Sequence, residues 1–545
     1  LGKNLLMKKV FFLIIVCSFS ALNTYGEKIT TDSKGNIYLL GLVQDSITFS
    51  DSTTIYTNSF PYENAKTYLV KLDPAGSVIW YKLFDQDDEN YFDIKVDHAD
   101  HLVLASLLTG TIALDSSTIL EDFYRFLIAK FDPDGHLLWY NLSSHNANTY
   151  GVSIAIDPQD NIYTTSLFTG SFHFNGLDTI SGSYPTKRPF VAKFDSSGYN
   201  SWLQKIDSWS IAVTDLDVDD SGNVVLAGHC NQNFIHQGDT LNVREDWDGF
   251  WIKYDTDGVL LKMKRIYSTG YDIIWEVGTG KNGQFFYSGY FQGDTLLIDD
   301  FSPTINASPE EVNFFTYVNH EATEAWLYDF NGGCGLRCYG NEMDTTNNIY
   351  LYTLMEEFHY NSSLNAFAGA DMSKSNYLIK MDSTGNPLCF LKMNNGQISD
   401  VEILENGTIY LTGKFENTLI LNDTSYTQPN NSIFIATFDL NCNTTWTSLI
   451  SNPLGTGIHE ISNPPNDVSI FPNATTNKTS LAFNDHIAKS GKIQLYSMEG
   501  GKKMELEFFA KELIELDIEK LSPGIYIGLV ITSDHTQTNF KLVKE

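Results

Sequence analysis

The residues of this sequence that could do chemistry are its carboxylates, histidines and cysteines. Asp217-Val-Asp219-Asp220-Ser-Gly222 has the oxygen spacing of a calcium loop. An EF-hand loop closes on a Glu at its twelfth position, and counted from Asp217 that position is Gly228. The other reading, a turn between two strands, also accounts for the remaining copies of the same string. Asp87-Asp88-Glu89 offers paired carboxylates, but acid–base work needs them to converge in space, which spacing along the chain does not decide. His98, His101 and His229 fall near predicted strand ends, where structural or solvated roles account for them. Cys334 and Cys338 are spaced to close a short disulfide in an oxidising compartment. A zinc site would need two further ligands nearby, and the flanking sequence offers none at sensible spacing. His-Glu-x-x-His, Gly-x-Ser-x-Gly and a Gly-rich phosphate loop are all missing from the sequence. No catalytic, cofactor-binding or metal-ligating residue is therefore assigned.

The elements that would position such residues repeat. An apolar strand runs into Asp-x-x-Gly, and a second strand follows with Trp seven residues after the Asp. The string occurs at Asp73, Gly76 and Trp80, at Asp132, Gly135 and Trp139, and at Asp195, Gly198 and Trp202. It returns at Asp255 and Gly258, at Asn319 with Trp326, at Asp382 and Gly385, and at Asp439 with Trp446. Positions 73, 132, 195, 255, 319, 382 and 439 lie 57 to 64 residues apart. A second string, Asp-x-x-Gly-Asn and then a strand such as Ile-Tyr-x-x-Gly, interleaves with the first. It reads Asp32 to Tyr38, Asp157 to Tyr163, Asp219 to Asn223 and Asp344 to Tyr350, with weaker copies near 97, 282 and 406. Asp at the first position and Gly at the fourth suit tight turns between antiparallel strands. Each repeat thus predicts four strands and one longer loop after the second. That is the signature of propeller blades, which cannot bury both faces alone and must stack.

The repeat resembles the bacterial seven-bladed β-propeller repeat family over about residues 28 to 450. The fifth repeat departs most, with Asn319 for Asp and Ala322 for Gly. Two enzyme-bearing propeller signatures do not fit. The sialidase Asp-box places Asp five residues before Trp, against seven here, and the quinoprotein docking motif has one more residue between Asp and Gly. The Trp residues are accordingly expected to pack on neighbouring blades.

After Ile450 the pattern changes. Residues 451–466 are rich in Pro, Gly, Ser and Asn, as a linker is. Residues 467–545 then predict about seven short strands, a small Ig-like β-sandwich. This segment resembles the type A C-terminal sorting domain of type IX secretion. The matching residues are Pro472 and Asn473, Gly491, Gly500, Pro523 with Gly524 and Tyr526, and Lys541 with Lys544. Ala474 departs from the pattern, where a second Pro is usual. The resemblance implies passage through the periplasm, recognition by the outer-membrane type IX machinery, and release or anchoring at the cell surface. At the other end, Lys8 and Lys9 precede an apolar run from Val10 to Ala21 and the small residues before Glu27. Residues 1–26 therefore read as a signal peptide with a short upstream extension, too short in its apolar run to span a bilayer. No further segment is apolar enough for a transmembrane helix.

The net charge is −32, which repels phosphate backbones and argues against a nucleic-acid partner. The expected fold is all-β: a seven-bladed β-propeller of four-stranded blades over 27–450, then the sandwich. Two functions fit it. The first is a non-enzymatic binding module for a protein or glycan, exported to the surface. The second is a secreted glycan hydrolase or lyase with carboxylates converging on the propeller axis. Two or three carboxylates or histidines clustered within hydrogen-bonding reach at the axial mouth would favour the enzyme. A bland, wet channel with an aromatic patch on one loop face would favour the binding module.

Overall fold

The computed structural model describes residues 27–544 apart from breaks, the longest being 57–65, 85–91, 331–337, 356–374 and 452–467. The signal-peptide segment, nearly all of the 451–466 linker, Asp87 to Glu89, Cys334, Pro472, Asn473 and Gly500 lie outside the described residues. The chain divides into two compact units, the first ending at Leu454 and the second beginning at Gly455. The described residues are all-β, with one 3-10 turn at Lys281–Gly283.

In the first unit, four-stranded antiparallel repeats follow one another along the chain. The first repeat joins Lys28–Thr31, Ile37–Val43, Lys66–Leu72 and Val78–Phe84 in that order. The same order recurs six times more. The sixth and seventh repeats share the long strand Pro387–Ile403, whose beginning pairs with Ser375–Met381 and whose end pairs with Ile409–Leu421. The middle strands are buried on both faces, as in Ile162–Phe168 and Asp248–Tyr254. Their sequences are accordingly rich in apolar, aromatic and hydroxyl side chains, with few charges. The fourth strands alternate exposed and half-buried positions, as in Leu137–Leu142, because one face meets water.

The first strands contact one another in cyclic succession. They are Lys28–Thr31, Phe92–Val96, Ala147–Ile156, Ile211–Val218, Asp272–Thr279, Cys338–Met343 and the end of Pro387–Ile403, which returns to Lys28–Thr31. Core clusters likewise bridge consecutive repeats. One joins Tyr38 and Leu69 to Leu104 and Phe131, and another joins Leu39 and Val70 of the first repeat to Ile433 and Ile435 of the seventh.

The first repeated string supplies the joints between repeats. Each turn Asp clasps its own loop, as Asp73 does by accepting from the amides of Ala75 (2.9 Å) and Ser77 (2.8 Å). Trp80 then donates its indole N–H to the Pro133 carbonyl in the next repeat's turn (3.0 Å). Trp139 does the same to Ser196 (3.2 Å), Trp202 to Thr256 (3.1 Å) and Trp326 to Ser383 (2.9 Å). The turn Gly lies flat against that indole. A β-carbon on Gly198 would come within 2.6 Å of Trp139, and one on Gly76 within 2.9 Å of Trp446, which joins the seventh repeat to the first. Gly is also favoured there by φ of +86° at Gly76 and +88° at Gly198.

Two joints use other chemistry. After the fourth repeat the Trp position is Lys262, which donates to the Ala322 carbonyl (2.7 Å). After the sixth repeat the Trp position is Cys389 and the Gly position is Cys442, and these two form a disulfide. The sequence offered a different possible pair, Cys334 with Cys338, which involves neither of these residues. Cys338 lies in Cys338–Met343, and Cys334 is outside the described residues.

The second string is tied to the first by buried ion pairs. Lys71 meets Asp32 at 3.1 Å, Lys130 meets Asp97 at 2.6 Å and Lys253 meets Asp219 at 3.3 Å. Burial alone would raise the Asp32 and Asp97 carboxyls, but hydrogen bonds, including those from Lys71 and Lys130, hold both below the usual range. Its Gly makes room for the neighbouring strand. A β-carbon on Gly228, Gly289 or Gly413 would stand within 2.1, 2.0 and 2.1 Å of the carbonyl oxygens of Ala212, Ile273 and Gln397. At those places the first strands bulge, at Val213/Asp215, Ile274/Glu276 and Ile398/Asp400.

In the second unit, Val468–Phe471, Lys478–Phe483 and Leu513–Asp517 form one sheet. Ala474–Thr475, Gln537–Lys544, Gly524–Thr532, Lys489–Ser497 and Lys502–Lys511 form the other. Leu481, Ile514 and Leu516 from the first share a core with Ile493, Leu495, Tyr526 and Leu542 from the second. Among the described residues no helix is long and apolar enough to cross a membrane.

Candidate functional site

Two places in the first unit gather polar or aromatic side chains in an arrangement beyond simple packing. The first is where the seven first strands converge. Four residues before each inner turn stand Lys28, Asp93, Ser153, Asp215, Glu276, Gly340 and Asp400. Two residues before it stand Thr30, Lys95, Ala155, Asp217, Gly278, Glu342 and Glu402. The Lys28 side chain keeps 40% of its surface accessible, so water reaches this axis.

Most of these carboxylates hold the repeats together. Asp93 accepts from the Ile154 amide of the next repeat (2.7 Å), Asp215 from Val277 (3.0 Å) and Asp400 from Ile29 (2.9 Å). Two residues on, Asp217 accepts from the Thr279 amide (2.7 Å) and hydroxyl (2.9 Å). Glu402 meets Lys95 at 3.3 Å and accepts from the Thr30 hydroxyl (3.3 Å). The second Asp215 oxygen accepts from Ser153 (2.8 Å).

Crowding perturbs the titration of the cluster. Burial pushes the Asp215 carboxyl up to about 6 against the hydrogen bonds it accepts. Burial and the Asp215 charge push Glu276 well above the usual carboxylate range. Burial would lower the Lys28 ammonium, but Asp400, Asp93, Glu276 and Asp215 around it raise it. Carboxyls with raised proton affinity beside a lysine are candidates for proton transfer. Both oxygens of Asp215 are nevertheless engaged by neighbouring strands, so this pair is built into the joint between repeats.

The second place lies between the fourth and fifth repeats, where the first strand of the fifth begins. His229 ends the second strand of the fourth repeat, and Trp247 precedes its third strand. Trp275 is the bulged residue between Ile274 and Glu276, and Tyr290 lies on the adjacent strand. The His229 ring lies 5.0 Å from Trp247 and 6.3 Å from Trp275, and Trp275 lies 6.2 Å from Tyr290. All four side chains are half-buried. Burial holds the His229 imidazole down to about 4, so it is neutral at pH 7. Its Nδ1 has no hydrogen-bond partner among the described residues. Beneath the cluster the buried Asp272 accepts from the Ser268 hydroxyl (2.6 Å), and its amide donates to the Trp247 carbonyl (2.7 Å). Burial, together with the Asp248 and Asp246 charges, pushes the Asp272 carboxyl up to about 8.

The residues that the sequence singled out for chemistry are dispersed. Asp217 is at the axis, whereas Asp219 faces Lys253 and clasps its own turn through the amides of Ser221 (3.0 Å) and Asn223 (2.9 Å). His98 bonds Asp160 (2.9 Å) and His101 bonds Asp97 (3.2 Å), both at turns. Of the three histidines, His229 alone joins the aromatic cluster. Asp132, Asp134 and His136 approach within 4.8 Å of one another on an exposed turn, where Asp132 already accepts from both amides. In the second unit Gly491 and Gly524 lie in strands, and Pro523 precedes the second of them. The Tyr526 hydroxyl donates to the Ser522 carbonyl (2.8 Å), and Lys544 is buried at the end of the last strand, which also carries Lys541.

Comparison with known proteins assigns the second unit. Residues 469–545 match the secretion system C-terminal sorting domain. That domain marks the chain for the type IX secretion system, and hence for release or display at the cell surface. Over 74% of its length the chain is 21% identical to an uncharacterized WD repeat-containing protein of Acanthamoeba polyphaga mimivirus. The chain spans 37% of the length of that relative. Among solved structures, the Dos1 propeller is similar at a TM-score of 0.38 and 8% identity, over 78% of this chain and 92% of that one. A Synechocystis apocarotenoid oxygenase is similar at 0.35 and 9% identity, over 77% and 94%.

Proposed function

We propose that this chain is an exported, non-enzymatic binding module: a seven-bladed β-propeller over 27–450, carried outward by an Ig-like sorting domain over 467–545. Residues 1–26 take it to the periplasm as a signal peptide, and the sorting domain then engages the type IX machinery. The blade count is supported by seven first strands in cyclic contact and by Trp446 seated on Gly76. Binding rather than catalysis is supported by where the polar groups go. Among the described residues Asp93, Asp215, Asp217, Asp400 and Glu402 near the axis accept bonds from neighbouring strands, so they serve the joints between repeats.

The observation that carries the binding reading is the half-buried aromatic cluster around His229. Two experiments test the proposal. Deleting 467–545 should trap the protein in the periplasm, and surface display of the truncated chain would refute the sorting role. A glycan array and a pull-down with the full chain should recover a ligand without turnover. Chemical conversion of a glycan would instead establish the enzyme.

A further inference from the structure

We propose that the joint between the third and fourth repeats is a slot for an extended polypeptide strand of a partner protein. The inference goes beyond the binding-module reading and uses none of the aromatic cluster, so either can fail without the other.

At other joints the end of one repeat's fourth strand pairs with the hairpin of the next repeat. The positions are equivalent. Ser144, Asp207, Tyr267 and Ser451 each stand twelve residues after an outer-turn Asp, and Thr48, His173 and Ile235 each stand sixteen after an inner-turn Asp. The Ser144 amide donates to the His173 carbonyl (2.8 Å), Ser451 pairs with Thr48, and Tyr267 pairs with Leu297. Among the described residues Asp207 and Ile235 are not paired with each other. They instead line, from successive repeats, a cavity of about 510 Å³ that Asn233, Phe234, Thr240 and Asn242 complete. Ligand sites commonly enclose about 300–1,000 Å³.

The sequence opens this joint. The Ile206 amide donates to the Pro189 carbonyl (3.0 Å), as Ser143 does to Phe126, but Ser208 then donates back to the Ile206 carbonyl (3.0 Å). That tight turn, centred on Asp207, carries the chain away from the hairpin. Arg188 (2.9 Å) and Lys205 (3.0 Å) of the same repeat hold the Asp207 carboxylate. Across the slot, Phe234–His236 and Asp239–Leu241 join through Gln237 and Gly238, at φ +48° and +99°. A two-residue loop closes on a hydrogen-bonded pair, here His236 and Asp239, which puts Ile235 at the next, non-bonded site opposite Thr240. Its N–H and C=O therefore point out of the free edge of the hairpin, and its side chain is exposed. A strand edge of this kind is completed by another backbone in extended conformation, as it is at the equivalent joints. Asn233 Oδ1 accepts from the Val243 amide (2.7 Å), which leaves the Asn233 amide N–H groups to donate to a peptide carbonyl.

The test pans a displayed library of linear heptapeptides against the full secreted chain and reads the affinity of retained peptides by fluorescence polarisation. Peptides should be retained. Ile235→Pro, which removes the outward N–H, should weaken them about tenfold or more, whereas Ile235→Val should bind as wild type. Asp207→Ser installs the residue found at Ser144 and Ser451 and should close the slot, with a similar loss of binding and a higher melting temperature. Amide hydrogen exchange reads the slot even where a variant folds poorly. The Ile235 amide should exchange fast in the free chain, and slowly with peptide bound. Protection of Ile235 in the free chain, or peptide binding that neither Ile235→Pro nor Asp207→Ser weakens, overturns the slot. Retention of no peptide overturns the polypeptide assignment. Self-association that Ile235→Pro abolishes gives the slot to a second copy and overturns a separate partner. Each of these leaves the binding module standing, since that reading falls only if the glycan array and the pull-down recover nothing.

Discussion

Replacing Cys389 with Ser removes the one joint between repeats, among those described, that is covalent. Cys389 occupies the position at which other repeats carry the joining Trp, and Cys442 the position of the next repeat's turn Gly. The bond closes a loop with a sequence separation of 53, for which chain entropy predicts a stabilisation of about 4 kcal/mol. A loss of about 2–4 kcal/mol is expected for Cys389→Ser, because such bonds often contribute less than their loop length implies. The structure also says how to repair it. Lys380 already donates to the Leu440 carbonyl (3.2 Å), as Lys71 and Trp80 together do to Pro133. Cys442 stands at φ +61°, which is unfavourable for any residue with a β-carbon. The double substitution Cys389→Trp with Cys442→Gly should therefore rebuild the joint used elsewhere. It gains an indole hydrogen bond of about 1 kcal/mol and relieves a backbone penalty of similar size. Urea denaturation followed by tryptophan fluorescence and circular dichroism, with and without reductant, measures each term. Reductant should destabilise the wild type and leave the rebuilt variant unchanged. If the double variant is no more stable than Cys389→Ser with Cys442→Gly, the two kinds of joint are not equivalent and the reasoning fails.

Three further outcomes are expected. Ala322 occupies a turn Gly position at φ +55°, so Ala322→Gly should raise stability by about 0.5–1 kcal/mol in the same denaturation assay. Asp400→Ala leaves the Ile29 amide without its acceptor and should destabilise by about 1–3 kcal/mol, whereas Asp400→Asn, which keeps an acceptor, should lose much less. Asp272 keeps its proton in the folded chain up to about pH 8, while the unfolded chain releases it near the ordinary carboxylate value of about 4. The folded state thus holds more protons across that window, and stability should fall as pH rises through it, by up to about 1.4 kcal/mol per pH unit. Asp272→Asn should flatten this slope in melting curves taken from pH 5 to 8, and an unchanged slope would refute the assignment.

The repeats were legible because each turn needs Asp and Gly at fixed positions, and the two strings fall out of step with any single-core fold. That the Trp residues pack on the neighbouring repeat was legible as well, but not that the indole donates to a carbonyl of the next copy's turn, as Trp80 does to Pro133. The Cys389–Cys442 bond carried a signal that was missed. Aligned on the turn Asp, one cysteine falls seven residues after Asp382 and the other three after Asp439, in register with Trp and Gly. Spacing along the chain favoured Cys334 and Cys338 instead. The residues along the axis could have been found by counting back four and two residues from each inner turn. The aromatic cluster could not. Trp247 and Trp275 belong to neither string, and only the meeting of two repeats brings them to His229.

The central claim is that the last repeat closes on the first. Cys389 and Cys442 show that the Trp and Gly positions of a joint can be bridged by a disulfide, with Cα atoms 5.9 Å apart. Trp446 and Gly76 hold the corresponding positions at the closing joint. The variant Gly76→Cys with Trp446→Cys, purified from an oxidising compartment and digested for peptide mapping, measures the closure directly. Closure predicts a peptide that links residues 76 and 446 and separates on reduction. Free thiols at both positions in a folded chain would contradict it.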